Sequence, residues 1–177
     1  AMWFTHLVSM IRSQFALGAD PATVAYSINA GLIRAQLRGP LISLFLGQLN
    51  WPSGVLTYCN AGHPPAVAMR ENGQYDLLSR GGPLLGAIET SSFANETVHL
   101  YAGDMLLAYS DGISECRNFS GTEFGDDRVI EVARAAQGTP SSMLFTMLAA
   151  VEDFADGRPR EDDFALMVIQ RDRAARK

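Results

Sequence analysis

The spacing of apolar residues changes along the chain from helical to extended, back to helical and finally to extended, and that order limits what it can fold into. Over residues 3–17, Phe4, Leu7, Val8, Ile11 and Phe15 recur at three- and four-residue intervals, the signature of one apolar helix face. Asp20-Pro21 predicts the start of a second helix. An Asp side chain can accept from the first free amides, and a Pro just inside the helix gives up no hydrogen bond. Val24, Ile28 and Leu32 continue the buried face.

From Pro40 the period shortens. Residues 41–49 and 55–58 read as strands joined by the turn Trp51-Pro52-Ser53-Gly54, the first of them uncharged and expected to be buried. Residues 66–70 and 74–78 flank Asn72-Gly73, a dipeptide suited to a tight hairpin because both positions tolerate positive φ. Residues 97–100 and 105–109 read as a further pair around Ala102-Gly103-Asp104, and the nearly all-apolar second member is expected to be a central strand. Helical spacing returns over 126–136, with Gly138 as a stop. It resumes after Thr139-Pro140, with Leu144, Leu148 and Val151 on one face and Met147 and Phe154 beside it. Residues 164–169 form a last strand. Consecutive strands linked by hairpins, with helices before and after, predict an α+β architecture of antiparallel sheet and packed helices, not an alternating βαβ fold.

The chain's 177 residues suit a single domain, 1–177, with a sizeable core. Fourteen basic against nineteen acidic side chains leave no cationic stripe for nucleic acid. The one basic cluster, Arg171, Arg173, Arg176 and Lys177, reads as a solvated chain end. No apolar run reaches the roughly 18 residues of a membrane span, and no signal peptide is recognisable at the front. Cys59 and Cys116 are expected to be free thiols in a reducing cytoplasm. Trp3 and Trp51 read as packing residues.

Two acidic positions draw attention by where they fall. Asp111 follows directly on the apolar strand, in Tyr109-Ser110-Asp111-Gly112, and Asp162-Asp163 stands at the entrance to the last strand. A carboxylate at a strand exit is held rigidly, and Gly112 lets backbone or a hydrated ion approach. Carboxylate oxygens so placed suit hard cations such as Mg²⁺ or Mn²⁺. On spacing alone, Asp-Gly is equally an ordinary turn and Glu161-Asp162-Asp163 a solvated loop. His6, His63 and His99 are too scattered for a zinc site. Cys116-Arg117 lacks the phosphate-cradling loop that a thiol nucleophile would need, and Cys59 reads as a core residue.

Several stretches, in order, resemble the SpoIIE-like branch of the PPM (2C-type) metal-dependent phosphatases. They are Tyr58-Cys59-Asn60-Ala61-Gly62-His63-Pro64-Pro65, then Gly82-Pro83-Leu84-Leu85-Gly86, and then the stretch from Leu100 to Glu115 with Gly103-Asp104 and Tyr109-Ser110-Asp111-Gly112-Ile113-Ser114-Glu115. Glu123-Phe124-Gly125 and Glu161-Asp162-Asp163-Phe164-Ala165-Leu166 complete the series. The resemblance implies a layered α-β-β-α sandwich of antiparallel sheets flanked by helices. It implies that Asp111 and Asp162 are the metal-binding, catalytic aspartates, with Asp163 in support. It further implies two Mn²⁺ or Mg²⁺ ions activating water against phosphoserine or phosphothreonine on an anti-anti-sigma-type regulatory protein, under an upstream sensor or receiver domain. His63 is expected to tie a turn instead of ligating.

The resemblance is incomplete at the front. In this family two strands precede the first helix and carry a "G-D-x-x-D" segment and a "D-x-x-G-H-G" turn, whereas here the first helix begins almost at Ala1. The expectation is an N-terminally incomplete domain lacking those strands, with a sheet edge exposed to self-association such as a homodimer. Two other readings stay open: a phosphatase-fold module that binds its partner without turnover, and a site completed by another chain or segment. Ser110 and Ala165 stand where the family commonly has threonine.

Overall fold

The computed structural model describes residues 2–34, 41–136 and 138–173, with backbone only for residues 2–4. The expected roles of Trp3, Phe4, Pro40, Arg176 and Lys177 lie outside the described residues or side chains. Helical spacing at the front is realised as α1 (Met2–Ala16) and α2 (Pro21–Arg34). The extended stretch becomes β1 (Leu44–Asn50), β2 (Val55–Ala61), β3 (Ala66–Met69), β4 (Tyr75–Leu78), β5 (Gly81–Gly82), β6 (Glu96–His99) and β7 (Met105–Tyr109). There follow α3 (Asp111–Ser114), α4 (Gly125–Ala135), α5 (Pro140–Ala155) and β8 (Leu166–Gln170). The α+β class with antiparallel-rich sheets is as the sequence predicts.

The elements sort into two compact units, Ala1–His63 with Ser79–His99, and Pro64–Leu78 with Leu100–Lys177. In the first, β2 is the hub. It pairs antiparallel with β1 from Leu44↔Ala61 to Asn50↔Val55 and with β6 from Val55↔His99 to Tyr58↔Glu96, and its end runs parallel to β5. Val24, Ile28, Leu46, Cys59 and Leu85 form the core, with Leu7, Ile11, Phe15 and Leu32 packed against it. The predicted cap is present: Asp20 Oδ1 accepts from Thr23 N at 3.0 Å. Two expectations fail here. β1 pairs only with β2 among the described strands, so the stretch read as buried is an edge strand with one fully buried residue, Leu46. Trp51, read as packing, is 59% exposed, because its turn projects beyond the strands it joins.

The second unit holds a sheet in the order β4-β3-β7-β8, antiparallel throughout, and β7 is central as expected. Val67, Leu107, Tyr109, Ile113, Val129 and Met147 anchor its core. Thr139 caps α5, its Oγ1 accepting from Ser142 N at 3.1 Å. The buried stripe of α5 is Met143, Met147, Val151 and Ala155; of the predicted face Leu144, Leu148 and Val151, only Val151 is fully buried, Met147 beside it is buried too, and Leu148 is exposed. The helix is apolar on both stripes, so periodicity alone could not choose between them. The β3–β4 hairpin also differs in detail. Arg70 N donates to Gln74 O at 2.7 Å across a loop of Glu71, Asn72 and Gly73, and only Gly73 takes positive φ (82°). Asn72 instead accepts from Gln74 N through its side chain at 2.9 Å.

The predicted pairing of 97–100 with 105–109 does not form. β6 pairs with β2, and β7 with β3 and β8. Asp104 is the physical reason. Its buried carboxylate accepts from Tyr101 N (2.9 Å), Glu71 N (3.3 Å) and the Arg70 guanidinium (2.9 Å), which ties the connection to the β3–β4 loop. Nor is the basic tail simply solvated. Arg171 exchanges backbone hydrogen bonds with Gly103 and Asp104 and donates to Leu100 O at 2.6 Å, and Arg173 pairs with Glu71.

Candidate metal centre

Beyond the last ladder pair of β7 and β8, Tyr109↔Leu166, the strands stay joined through Ser110. Its backbone N donates to Ala165 O (2.9 Å), its Oγ accepts from Ala165 N (2.9 Å), and the same hydroxyl donates to Asp163 O (3.1 Å). One side chain therefore fixes where β7 ends against where β8 begins. Asp111 comes next, as the first residue of α3, its Oδ1 accepting from Gly112 N at 3.0 Å.

Gly112 is buried because backbone lies against it. A Cβ there would stand 2.5 Å from Asp163 O and 3.5 Å from Asp162 Cβ. The close approach foreseen at this glycine is thus that of the loop carrying the other two aspartates. It brings the Asp111 and Asp162 positions to one end of the β7–β8 pair, with both residues exposed. Asp162 Oδ1 accepts from Asp163 N at 2.7 Å, and Asp163 contributes support through its backbone carbonyl. Behind them Tyr109 donates to Asp126 Oδ1 at 2.9 Å. Burial, reinforced by that carboxylate, pushes the Tyr109 phenol well above its usual range.

The donor chemistry fits a hard divalent cation: carboxylate oxygens on a rigid strand end, without nitrogen or sulfur. The number is two, and among the described residues no group of three or more His, Cys, Asp or Glu side chains could hold a metal ion. The thiols are poor nucleophiles here. Cys59 is fully buried and pushed up to about 11 by desolvation, and burial also raises Cys116. His63 belongs to a turn that Asn60 ties. The Asn60 amide accepts from His63 N at 2.8 Å and donates to His63 O at 2.9 Å. The sequence marked Ser110 only as a departure from the family's usual threonine, whereas its hydroxyl joins the ends of β7 and β8 beside both aspartates. The available signal was its place between an apolar strand and Asp-Gly.

The family model described as Stage II sporulation protein E matches residues 1–172. The phosphoserine phosphatase RsbU of Bacillus subtilis is 29% identical over 160 residues, 87% of this chain and 46% of that protein. The SiaA-PP2C domain of Pseudomonas aeruginosa superposes with a TM-score of 0.78 at 18% identity, over 92% of this chain and 66% of that one. The Mn-presoaked phosphatase domain of SpoIIE from Bacillus subtilis gives 0.69 at 19% identity, over 97% and 76%. The chain spans less than half the length of the curated relatives it matches.

Proposed function

The chain belongs to the SpoIIE family of PPM-fold phosphatases, and from that membership we propose that residues 1–177 form one domain that removes phosphate from phosphoserine or phosphothreonine on a bacterial regulatory protein. The observation that carries this reading is the Ser110–Gly112 splice, which sets Asp111 and Asp162 at one end of a rigid strand pair with both residues exposed.

In this reading Asp111 and Asp162 hold Mn²⁺ or Mg²⁺, two ions in a complete site. When bound, such ions lower the pKa of water and neutralise phosphoryl oxygens. The protein's part is positional. Ser110 and Gly112 fix the distance between the two loops, the Gly112 and Asp163 amides orient the carboxylates, and Asp163 O supports the turn. An anti-anti-sigma-type substrate, an upstream sensor or receiver domain and a homodimer are proposed from family membership. RsbU, a phosphoserine phosphatase by name, is consistent with a phosphoserine substrate. Free thiols at Cys59 and Cys116 suit a reducing cytoplasm. Among the described residues no helix is long and apolar enough to cross a membrane.

One observation favours a second reading, a phosphatase-fold module that grips the same partner without turnover. Two carboxylates are fewer than a binuclear centre needs, and no third metal-binding side chain joins them among the described residues. Mn²⁺-dependent hydrolysis of p-nitrophenyl phosphate, beside an Asp111→Asn variant, separates the two. Turnover that needs Mn²⁺ and disappears in the variant is the expected result. No turnover, or turnover indifferent to the variant, overturns the catalytic reading and leaves the family assignment standing.

A further inference from the structure

A cavity of about 180 Å³ opens beside Asp162, and the guanidinium-bearing residues Arg117, Arg158 and Arg160 all line it. Arg158, 27% exposed, is the fixed wall. Its Nη1 donates to Asn118 O at 2.8 Å and its Nη2 pairs with Glu161. Arg160 lies over the Phe164 ring, 4.5 Å from the centroid, and pairs with Glu152; Arg117 pairs with Glu123. Those last two arginines are 54% and 46% exposed, and ion pairs so open to water contribute little and are readily exchanged for a better anion. Each guanidinium has five N–H donors, so no single carboxylate exhausts it. Charges of both signs are felt locally: burial raises the Cys116 thiol, Arg160 and Arg158 act against that rise, and Glu161 adds to it.

Resting on the phosphatase reading, we propose that this cleft is an oxyanion subsite that takes a phosphate group, either inorganic phosphate as product or the phosphoryl group of a phosphoserine side chain. Its volume suits a group of that size, and planar guanidinium forks match phosphate oxygens. Glu115, Glu161 and Asp162 also line the cleft and balance its three arginines. Offsetting the Asp162 charge with a divalent cation leaves the cleft net positive, so phosphate binds more tightly in Mg²⁺ than in EDTA.

Calorimetric titration with inorganic phosphate, in EDTA and again in Mg²⁺, tests this without any turnover. Failure of hydrolysis and failure of this site are therefore separate results. The expected outcome is binding in both buffers, weakened about tenfold or more by Arg160→Gln and by Arg117→Gln, the loss of one charge-assisted contact each. Arg134→Gln, on α4 and outside the cleft, should leave it unchanged. Competition by O-phosphoserine identifies a substrate-facing subsite, and its absence identifies a product site. No binding at millimolar phosphate in either buffer overturns the proposal. So does binding that survives both arginine variants and vanishes in Asp162→Asn, because the phosphate would then be held through the metal carboxylates alone.

Discussion

The two units share a plan, a four-stranded sheet with helices over an apolar core, yet they use their most distinctive residues in opposite ways. In the first unit those residues turn inward onto backbone. Asn60 is buried and spends its amide on His63. Gly81 lies so close behind it that a Cβ would stand 2.0 Å from Asn60 O. Gly62, at φ 70°, faces Leu84 in the Gly82–Gly86 loop, where a Cβ would meet Leu84 Cγ at 2.8 Å. In the second unit an equally specific backbone, built on Ser110 and Gly112, ends in exposed aspartates. An unusual motif therefore reports a demanding backbone first. Chemistry follows only where that rigid backbone delivers an exposed charged group.

Substitutions can break that contrast. The largest expected effect is functional: Asp162→Asn should take metal-dependent hydrolysis below detection while the thermal midpoint holds or rises, since like charges at one strand end repel. A midpoint that falls instead would show Asp162 to be architectural. Gly81→Ala should do the reverse. A Cβ cannot coexist with the Asn60 carbonyl, so denaturant titration should register a loss of roughly 4 kcal/mol or more, at the extreme of single-substitution effects. Any activity should fall only in proportion to the unfolded fraction. Ser110→Ala sits between the two kinds. Losing the hydroxyl that serves Ala165 N and Asp163 O should cost about 1–2 kcal/mol and raise the Mn²⁺ concentration for half-activation, whereas Ser110→Thr keeps the hydroxyl and should change neither.

How much of this was legible follows from the range of the forces involved. Local signals were read correctly: Asp20 as a cap, the helix opening at Thr139-Pro140, the 51–54 turn, and the apolar run of β7 as a central strand. Pairing partners were not. β6 and β7 adjoin in sequence but join different sheets, because the buried Asp104–Arg70 pair redirects the chain, and no local pattern announces a partner 34 residues away. Trp51 and the α5 stripe failed for a related reason, since apolarity alone does not say which face is covered. At the site, Asp111 and Asp162 drew attention by their places at strand ends, and only the resemblance decided for a metal role over a turn and a solvated loop. The contact that joins them, Gly112 against the Asp163 carbonyl, depends on a missing side chain and only coordinates could reveal it.

The smallest effect sharpens the contrast most, because it concerns a carboxylate in the unit that otherwise hides its distinctive groups. Asp20 accepts from Asn95 Nδ2 at 2.7 Å and from the Thr23 amide at 3.0 Å, and these bonds, Asn95 first, hold its carboxyl below the usual 3.8. A group whose folded pKa is depressed stabilises the protein above its unfolded value and ceases to do so as pH falls through the folded value. Asp20→Ala should therefore cost about 0.5–1 kcal/mol at pH 7, the low end for a helix cap because solvent screens an exposed carboxylate. The difference from the parent protein should shrink as pH falls below 3.8 and the Asp20 carboxyl becomes protonated, as thermal unfolding at pH 7 and under acid conditions can measure. Asp162→Asn should show no matching loss at pH 7. If both variants lost stability in the same pH window, the carboxylates of the second unit would be capping groups like Asp20, and exposure at a rigid strand end would no longer mark them as the place where the chemistry is done.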